Sequence, residues 1–122
     1  MMYIKGGQII DPVEEKIYRA DLEIEDGRIR KILKEGGQAP KEAEVLEAPG
    51  LMIAPGLVDT HVHFRDPGFT YKEDILTGAR AAAAGGFTQV VLMANTKPCV
   101  DSKETLSYVL EKGKQTGIRI HS

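Results

Sequence analysis

The 122-residue sequence has no tryptophan, one cysteine (Cys99) and little net charge, since 16 Lys and Arg residues are balanced by 18 Asp and Glu residues. A single cysteine excludes an internal disulfide and favours a reducing, cytoplasmic location. The mixed charge gives no reason to expect nucleic acid or an anionic membrane as a partner. No apolar run approaches the roughly 20 residues of a membrane-spanning helix, and the N-terminus lacks the apolar core of a secretory signal. These absences restrict the class of protein but not its chemistry.

Short β-rich segments dominate the first fifty residues. The segment 3–10 is predicted to be a strand that ends at the turn signal Asp11-Pro12. The dipeptide Asp26-Gly27 separates two further β-rich runs and predicts a two-residue type I′ hairpin. Such a turn predicts one apolar pair and two pairs of opposite charge: Ile24 with Ile29, Glu25 with Arg28, and Glu23 with Arg30. A polar loop over 35–44 and a short strand over 45–48 follow.

From residue 53 onwards, apolar strands alternate with amphipathic helices. The predicted order is a strand over 57–62, a helix between a Thr70–Glu73 capping box and Gly85-Gly86, a strand over 87–94, a helix from an Asp101/Glu104 capping pattern to Gly117, and a strand from Ile118. Strands buried on both faces that alternate with helices favour a parallel sheet and an α/β fold. Periodicity alone does not distinguish an open doubly wound sheet from a barrel.

Two of the three histidines, His61 and His63, close the first of these apolar strands. Residues two apart on a strand point to the same side, so both imidazoles can reach one metal ion. Unpartnered polar rings would be costly next to an apolar strand. A catalytic zinc needs three protein ligands and an open position, and neither His121 nor Cys99 is a convincing third. The pair therefore predicts part of a metal site.

Two aspartates flank this histidine pair. Asp59 lies on the same side of the strand as His61, where it could accept a hydrogen bond from a ligand ring or serve a structural hydrogen bond. Asp66 is predicted to organise the loop with Pro67 and Gly68.

The run GLVDTHVHFRDPG, residues 56–68, resembles the first signature of the dihydroorotases in the amidohydrolase superfamily. The resemblance continues through KEDILTGARAAAAGGFTQVVLMANTKP, residues 72–98. It implies the start of a (β/α)8 metal-dependent hydrolase barrel over 53–122, truncated in the third barrel strand and preceded by an N-terminal β-sandwich segment over 1–52. It also implies a zinc enzyme with two ions per active site. His61 and His63 would ligate the more buried ion, while Arg65 and Asn95 would bind the substrate carboxylate.

The implied activity is the reversible closure of N-carbamoyl-L-aspartate to L-dihydroorotate in pyrimidine synthesis. The partners implied are this small-molecule substrate and either a homo-oligomer or a complex with aspartate transcarbamoylase. The family's remaining ligands and its general base lie beyond Ser122, so no catalytic residue is assigned in this chain. A complete barrel needs about 250 residues. We therefore expect an inactive N-terminal fragment with uncovered apolar faces, prone to self-association.

Three other interpretations remain open. An allantoinase or hydantoinase opens a related ring on a similar metal site, but Arg65 favours a substrate that carries a carboxylate. An inactive dihydroorotase-like partner of aspartate transcarbamoylase is disfavoured because both histidines are retained. A small non-catalytic protein with a metal-binding or interaction role is the third.

Overall fold

Five strands build the first of two units into which the chain divides, Met1–Pro55 and Gly56–Ser122. The computed structural model describes residues 1–122. The strands of the first unit are β1 (Met2–Asp11), β2 (Lys16–Glu25), β3 (Arg28–Lys34), β4 (Glu44–Glu47) and β5 (Met52–Ile53). They form one mixed sheet in the order β3-β2-β1-β4, in which β5 also pairs with β1. The pairs β1–β2 and β2–β3 are antiparallel, whereas β4 and β5 run parallel to β1.

The predicted Asp26-Gly27 hairpin is present between β2 and β3. Both turn residues have positive φ, 51° and 71°, as a type I′ turn requires. Ile24 faces Ile29 and Glu25 faces Arg28, but the third predicted pair is wrong. A bulge next to Glu23 leaves Arg30 as the extra residue, so Glu23 faces Lys31 instead. The Arg30 guanidinium turns back to the Glu25 carboxylate at 2.7 Å.

Asp21 is the buried polar centre of this unit, and the sequence pattern did not indicate it. Its carboxylate is inaccessible to solvent. One oxygen accepts the Gly6 N–H at 2.8 Å, and the other accepts the Tyr3 hydroxyl at 2.9 Å and the N–H groups of Gly36 and Gly37 at 3.1 Å each. Burial alone would raise the pKa of Asp21, but these four hydrogen bonds hold it below the ordinary 3.8.

Because its pKa is depressed in the folded state, Asp21 stabilises the unit above pH 3.8, and this contribution should be lost as the pH falls through the folded pKa. We expect Asp21→Asn to lower the free energy of unfolding by roughly 2–4 kcal/mol near neutral pH, because the new amide cannot accept all four donors. Urea unfolding and amide exchange at Gly6, Gly36 and Gly37 measure the effect. Asp26→Asn is the control, since Asn-Gly also favours the type I′ turn. Equal unfolding midpoints for the two variants would contradict the assignment.

The second unit is a β-α-β-α-β segment, as predicted. Its elements are β6 (Leu57–Val62), α1 (Ile75–Ala84), β7 (Phe87–Leu92), α2 (Lys103–Gly113) and β8 (Arg119–His121). The three strands are parallel in the order β6-β7-β8, so the predicted parallel sheet is confirmed. The core of this unit combines residues from the sheet, both helices and the loop after β6: Phe64, Ile75, Ala79, Val90, Leu92, Val109, Ile118 and Ile120. Neither helix is long and apolar enough to cross a membrane.

Both helices begin later than their predicted capping patterns. The N-cap of α1 is Asp74, whose carboxylate accepts the N–H groups of Leu76 and Thr77 at 2.8 and 2.9 Å. The N-cap of α2 is Ser102, which pairs reciprocally with Thr105. The predicted box at Thr70–Glu73 is wrong because the helix begins one turn later, where Asp74 is the N-cap and the first helical residue, Ile75, packs in the core.

The prediction that β6 is buried on both faces is also wrong. Leu57 and Val58 are 53% and 52% exposed. In this unit α1 packs on β7 and α2 packs on β8. No segment of the chain covers the side chains of Leu57 and Val58. The run is apolar enough for two-sided burial, but a strand's burial depends on which other segments lie against it.

Candidate functional site

The two histidines predicted as metal ligands lie together at the C-terminal end of β6. Their ring centroids are 5.3 Å apart and their planes meet at 66°. Two imidazoles on one tetrahedral zinc, with bonds of about 2.0–2.1 Å, place their centroids on the order of 5 Å apart. The donor types and their spacing therefore fit a single ion. No group of three or more His, Cys, Asp or Glu residues in the chain could hold a metal by itself, so the pair alone would supply only part of a ligand set.

Asn95, the predicted substrate-binding residue that follows β7, contacts this pair. Its Oδ1 lies 3.0 Å from His63 Nδ1. An amide oxygen can only accept, so with this amide orientation Nδ1 carries the proton and the Nε2 lone pair of His63 is free to bind a metal. A ligating histidine usually has its second ring nitrogen held in this way. The Asn95 amide NH2 keeps its two donors available.

Arg65, the other predicted substrate-binding residue, lies in the loop directly after His63. Its backbone has a φ of +61°, and its carbonyl oxygen accepts the Phe69 N–H at 2.9 Å. The side chain is half-buried. No ion pair of the chain includes Arg65. A partly desolvated guanidinium without an acidic partner is well suited to bind a carboxylate with two parallel hydrogen bonds.

The two aspartates that flank the histidines have different environments. Asp59 Oδ1 accepts the His61 backbone N–H at 2.9 Å. Of the two roles predicted for Asp59, this contact is the structural hydrogen bond and not a bond to a ligand ring. Asp66 is 1% exposed. Its carboxylate accepts the Ile75 N–H at 3.2 Å, the Tyr108 hydroxyl at 2.9 Å and the Lys112 ammonium at 2.5 Å. Asp66 therefore ties the loop to both helices, a wider role than the predicted one.

Tyr108 and Lys112 were missed by the sequence analysis. They are one turn apart on α2, and the hydroxyl and the ammonium lie 3.2 Å apart. Burial alone would lower the pKa of Lys112, but its hydrogen bonds to Asp66 and Tyr108 raise it above its ordinary value. The only indication of this pair in the sequence was the i, i+4 spacing of Tyr108 and Lys112 on a predicted helix.

His121 and Cys99, the other two residues considered as metal ligands, make no contact with the histidine pair. His121 Nε2 pairs with Gln89 Oε1 at 3.2 Å. The Cys99 thiol donates to the Ala94 carbonyl at 3.0 Å.

The loop after β6 packs closely on the loop after β7. The Lys97 N–H donates to the Pro67 carbonyl at 3.1 Å. Gly68 has a φ of +92°, and a Cβ there would overlap the Lys97 carbonyl group. The loops that carry Arg65 and Asn95 can therefore meet only because residue 68 has no side chain.

We expect Gly68→Ala to separate these two loops. Strain at positive φ costs about 1 kcal/mol, and the overlap with backbone adds to it, for a total of roughly 3 kcal/mol. Gly86→Ala is the matched control, because Gly86 has a φ of +85° and open space around its Cβ position. Urea unfolding and amide exchange at Lys97 report the result. Equal effects of the two substitutions would contradict the close approach.

Comparison with known proteins places this geometry in a family. The sequence model of the family described as dihydro-orotase-like matches residues 50–121, more than half of the chain. The dihydroorotase of Clostridioides difficile (strain 630) is 50% identical over 120 residues, which is 98% of this chain and 28% of that protein. The dihydroorotase of Geotalea daltonii is 52% identical over 113 residues, 93% of this chain and 26% of that protein. The chain thus spans about a quarter of the length of these curated relatives.

The chain is also similar in structure to a solved hydantoinase. A D-hydantoinase from Bacillus sp. AR9 superposes with a TM-score of 0.77 and 31% identity, over 98% of this chain and 25% of that one. Because the family model covers residues 50–121, the match includes the histidine pair, Arg65 and Asn95. The chain belongs to the dihydro-orotase-like family.

Proposed function

We propose that the protein containing this chain is a dihydroorotase, which interconverts N-carbamoyl-L-aspartate and L-dihydroorotate in pyrimidine synthesis. The observation that carries the proposal is the His61/His63 pair followed, two residues later in the chain, by an arginine that has no acidic partner. The first can hold part of a hydrolytic metal site, and the second can bind the carboxylate that distinguishes dihydroorotate from other cyclic ureides. The name shared by the relatives at about 50% identity supports the same activity.

The metal in this proposal is zinc, with two ions in the complete site. His61 and His63 would hold one of them, and the hydrogen bond from His63 to Asn95 keeps Nε2 of His63 free for that role. Bound zinc supplies a Lewis acid that polarises an amide carbonyl and makes water nucleophilic near neutral pH. The other ligands and the general base would come from outside residues 1–122.

Arg65 and Asn95 would orient the substrate. The guanidinium offers two parallel donors to the carboxylate. The Asn95 amide accepts from His63 through Oδ1 and can donate to the carboxylate through its NH2 group. One side chain would thereby link the orientation of a metal ligand with that of the substrate.

The architecture proposed for the complete protein is a (β/α)8 barrel that begins with the unit Gly56–Ser122. Its three parallel strands with interleaved helices are consistent with such a beginning, and the site lies at the C-terminal strand ends, where barrel active sites are found. The strands of Met1–Pro55 would be part of a small β-sandwich. Assembly as a homo-oligomer or with aspartate transcarbamoylase remains part of the proposal.

A hydantoinase is the second candidate, because the matched solved structure carries that name. The two activities differ in the substrate group that Arg65 would meet, since hydantoin has no carboxylate. The relatives with higher identity favour dihydroorotase.

The deciding experiment is a substrate comparison with the complete protein loaded with zinc. Ring opening is measured with dihydroorotate, hydantoin and allantoin, before and after treatment with a chelator. Chelator-sensitive turnover that is selective for dihydroorotate is expected. Preference for hydantoin would move the assignment to the second candidate, and metal binding without turnover of any ring would indicate an inactive partner protein.

A further inference from the structure

We propose that Asp66, held by Tyr108 and Lys112, is the positioning residue that aims Arg65 at the substrate carboxylate. The inference rests on the proposed function and assigns a specificity role to three residues that do not themselves touch the substrate. The buried carboxylate belongs to Asp66, the residue directly after Arg65.

The Asp66 carboxylate is fixed by three donors from two helices. The Ile75 N–H belongs to the first residue of α1, while the Tyr108 hydroxyl and the Lys112 ammonium project from α2. With both oxygens bonded and 1% exposure, the carboxylate cannot move without leaving a buried donor or a buried charge unpaired. These bonds therefore fix the position of the loop relative to both helices at residue 66.

The backbone at Arg65 needs such an anchor. A φ of +61° is a left-handed conformation that a residue with a Cβ adopts at a cost of about 1–3 kcal/mol. It persists only where neighbouring contacts determine it. Here the Asp66 bonds and the hydrogen bond from the Phe69 N–H to the Arg65 carbonyl hold the chain after residue 65, and Phe64, buried in the core, holds the chain before it. Release of Asp66 would let residue 65 relax towards negative φ and swing its side chain to a new direction.

The consequence for binding is selective. A guanidinium displaced by about 1 Å loses its paired hydrogen bonds to a planar carboxylate. Such misplacements can lower the efficiency of an enzyme by up to about 100-fold. The histidine pair is held separately by β6 and by Asn95, so metal binding should be maintained. Loss of the anchor should thus weaken substrate binding much more than the chemical step.

The test is a double-mutant cycle in the complete zinc enzyme with dihydroorotate. Asp66→Asn and the milder Tyr108→Phe are made alone and together with Arg65→Ala. Alone, they should raise KM about tenfold and about threefold, with kcat within about twofold and zinc content unchanged. In the Arg65→Ala background, neither should raise KM further, because a residue that acts through Arg65 has no target left. Asp101→Asn and Tyr71→Phe make the same chemical changes at exposed side chains and should match the unaltered enzyme.

Hydrogen exchange at the Phe69 amide gives a readout that does not need turnover. Exchange should accelerate in Asp66→Asn and Tyr108→Phe and stay unchanged in both controls. Unchanged exchange, or equal increases of KM with and without Arg65, would overturn the positioning role. If Asp66→Asn does not fold, Tyr108→Phe decides the question by the same two measurements. Absence of dihydroorotate turnover in the unaltered enzyme would instead overturn the proposed function.

Discussion

Alanine at His61 or at His63 is expected to abolish zinc-dependent ring opening in the complete protein. Each substitution removes a nitrogen donor from a pair whose centroid distance of 5.3 Å suits one ion. Loss of an outer partner of a metal ligand typically costs 10–100-fold, so loss of a ligand itself should reduce kcat/KM by more than about 100-fold. Zinc content per protein and kcat/KM are measured together, because the loss of activity should follow the loss of metal.

His121→Ala is the matched control for these substitutions. His121 is bonded to Gln89 and makes no contact with the pair, so zinc content and turnover should match those of the unaltered enzyme. For Asn95→Ala we expect an intermediate fall in kcat/KM, about 10–100-fold, because the substitution releases His63 Nδ1 without removing a ligand. Full zinc occupancy and full activity in both His61→Ala and His63→Ala would contradict the metal assignment.

The order of elements was predictable because it depends on local periodicity. Continuous apolar runs for the strands and helical apolar spacing for the helices predicted every element of Gly56–Ser122 in its correct order. The i, i+2 spacing likewise predicted that His61 and His63 share one side of β6. The Asp26-Gly27 turn was predictable for the same reason, since only two adjacent residues decide it.

The errors arose where two local signals compete or where a distant segment decides. Thr70 and Asp74 are both acceptable N-caps, and the packing of Ile75 in the core selects the later one. The bulge at Arg30 inserts one residue into a pattern that otherwise alternates correctly. The Asp66 anchor joins residues 42 and 46 positions apart, a separation at which a single sequence gives no periodic signal.

The resemblance and the geometry contribute different parts of the site. The residue types His61, His63, Arg65 and Asn95 could be chosen from the motif alone. Only the structure reveals that Asn95 accepts from His63 and that Arg65 lacks an acidic partner. These observations support the proposed division of roles, in which His61 and His63 would bind the metal and Arg65 and Asn95 would bind the substrate carboxylate.

Substrate selection should therefore depend on Arg65 more than on any other residue of this chain. Arg65→Ala removes a charge-assisted, two-point contact of about 1.5–3 kcal/mol for each hydrogen bond, so KM for dihydroorotate should rise about 100-fold or more. Alanine keeps a Cβ at the left-handed position, so the backbone cost at residue 65 stays the same. Arg65→Lys should recover only part of the loss, because an ammonium is a point charge and not a planar fork.

Arg80→Ala is the control for this substitution, since Arg80 is exposed on α1 and belongs to no ion pair. Turnover of hydantoin, however slow, should not fall in Arg65→Ala, because that ring has no carboxylate to lose. The ratio of kcat/KM for the two substrates then isolates the carboxylate contact from any general damage to the site. A parallel fall for both substrates would assign Arg65 to the structure of the loop, and the carboxylate would have to be bound by Asn95 or by residues outside this chain.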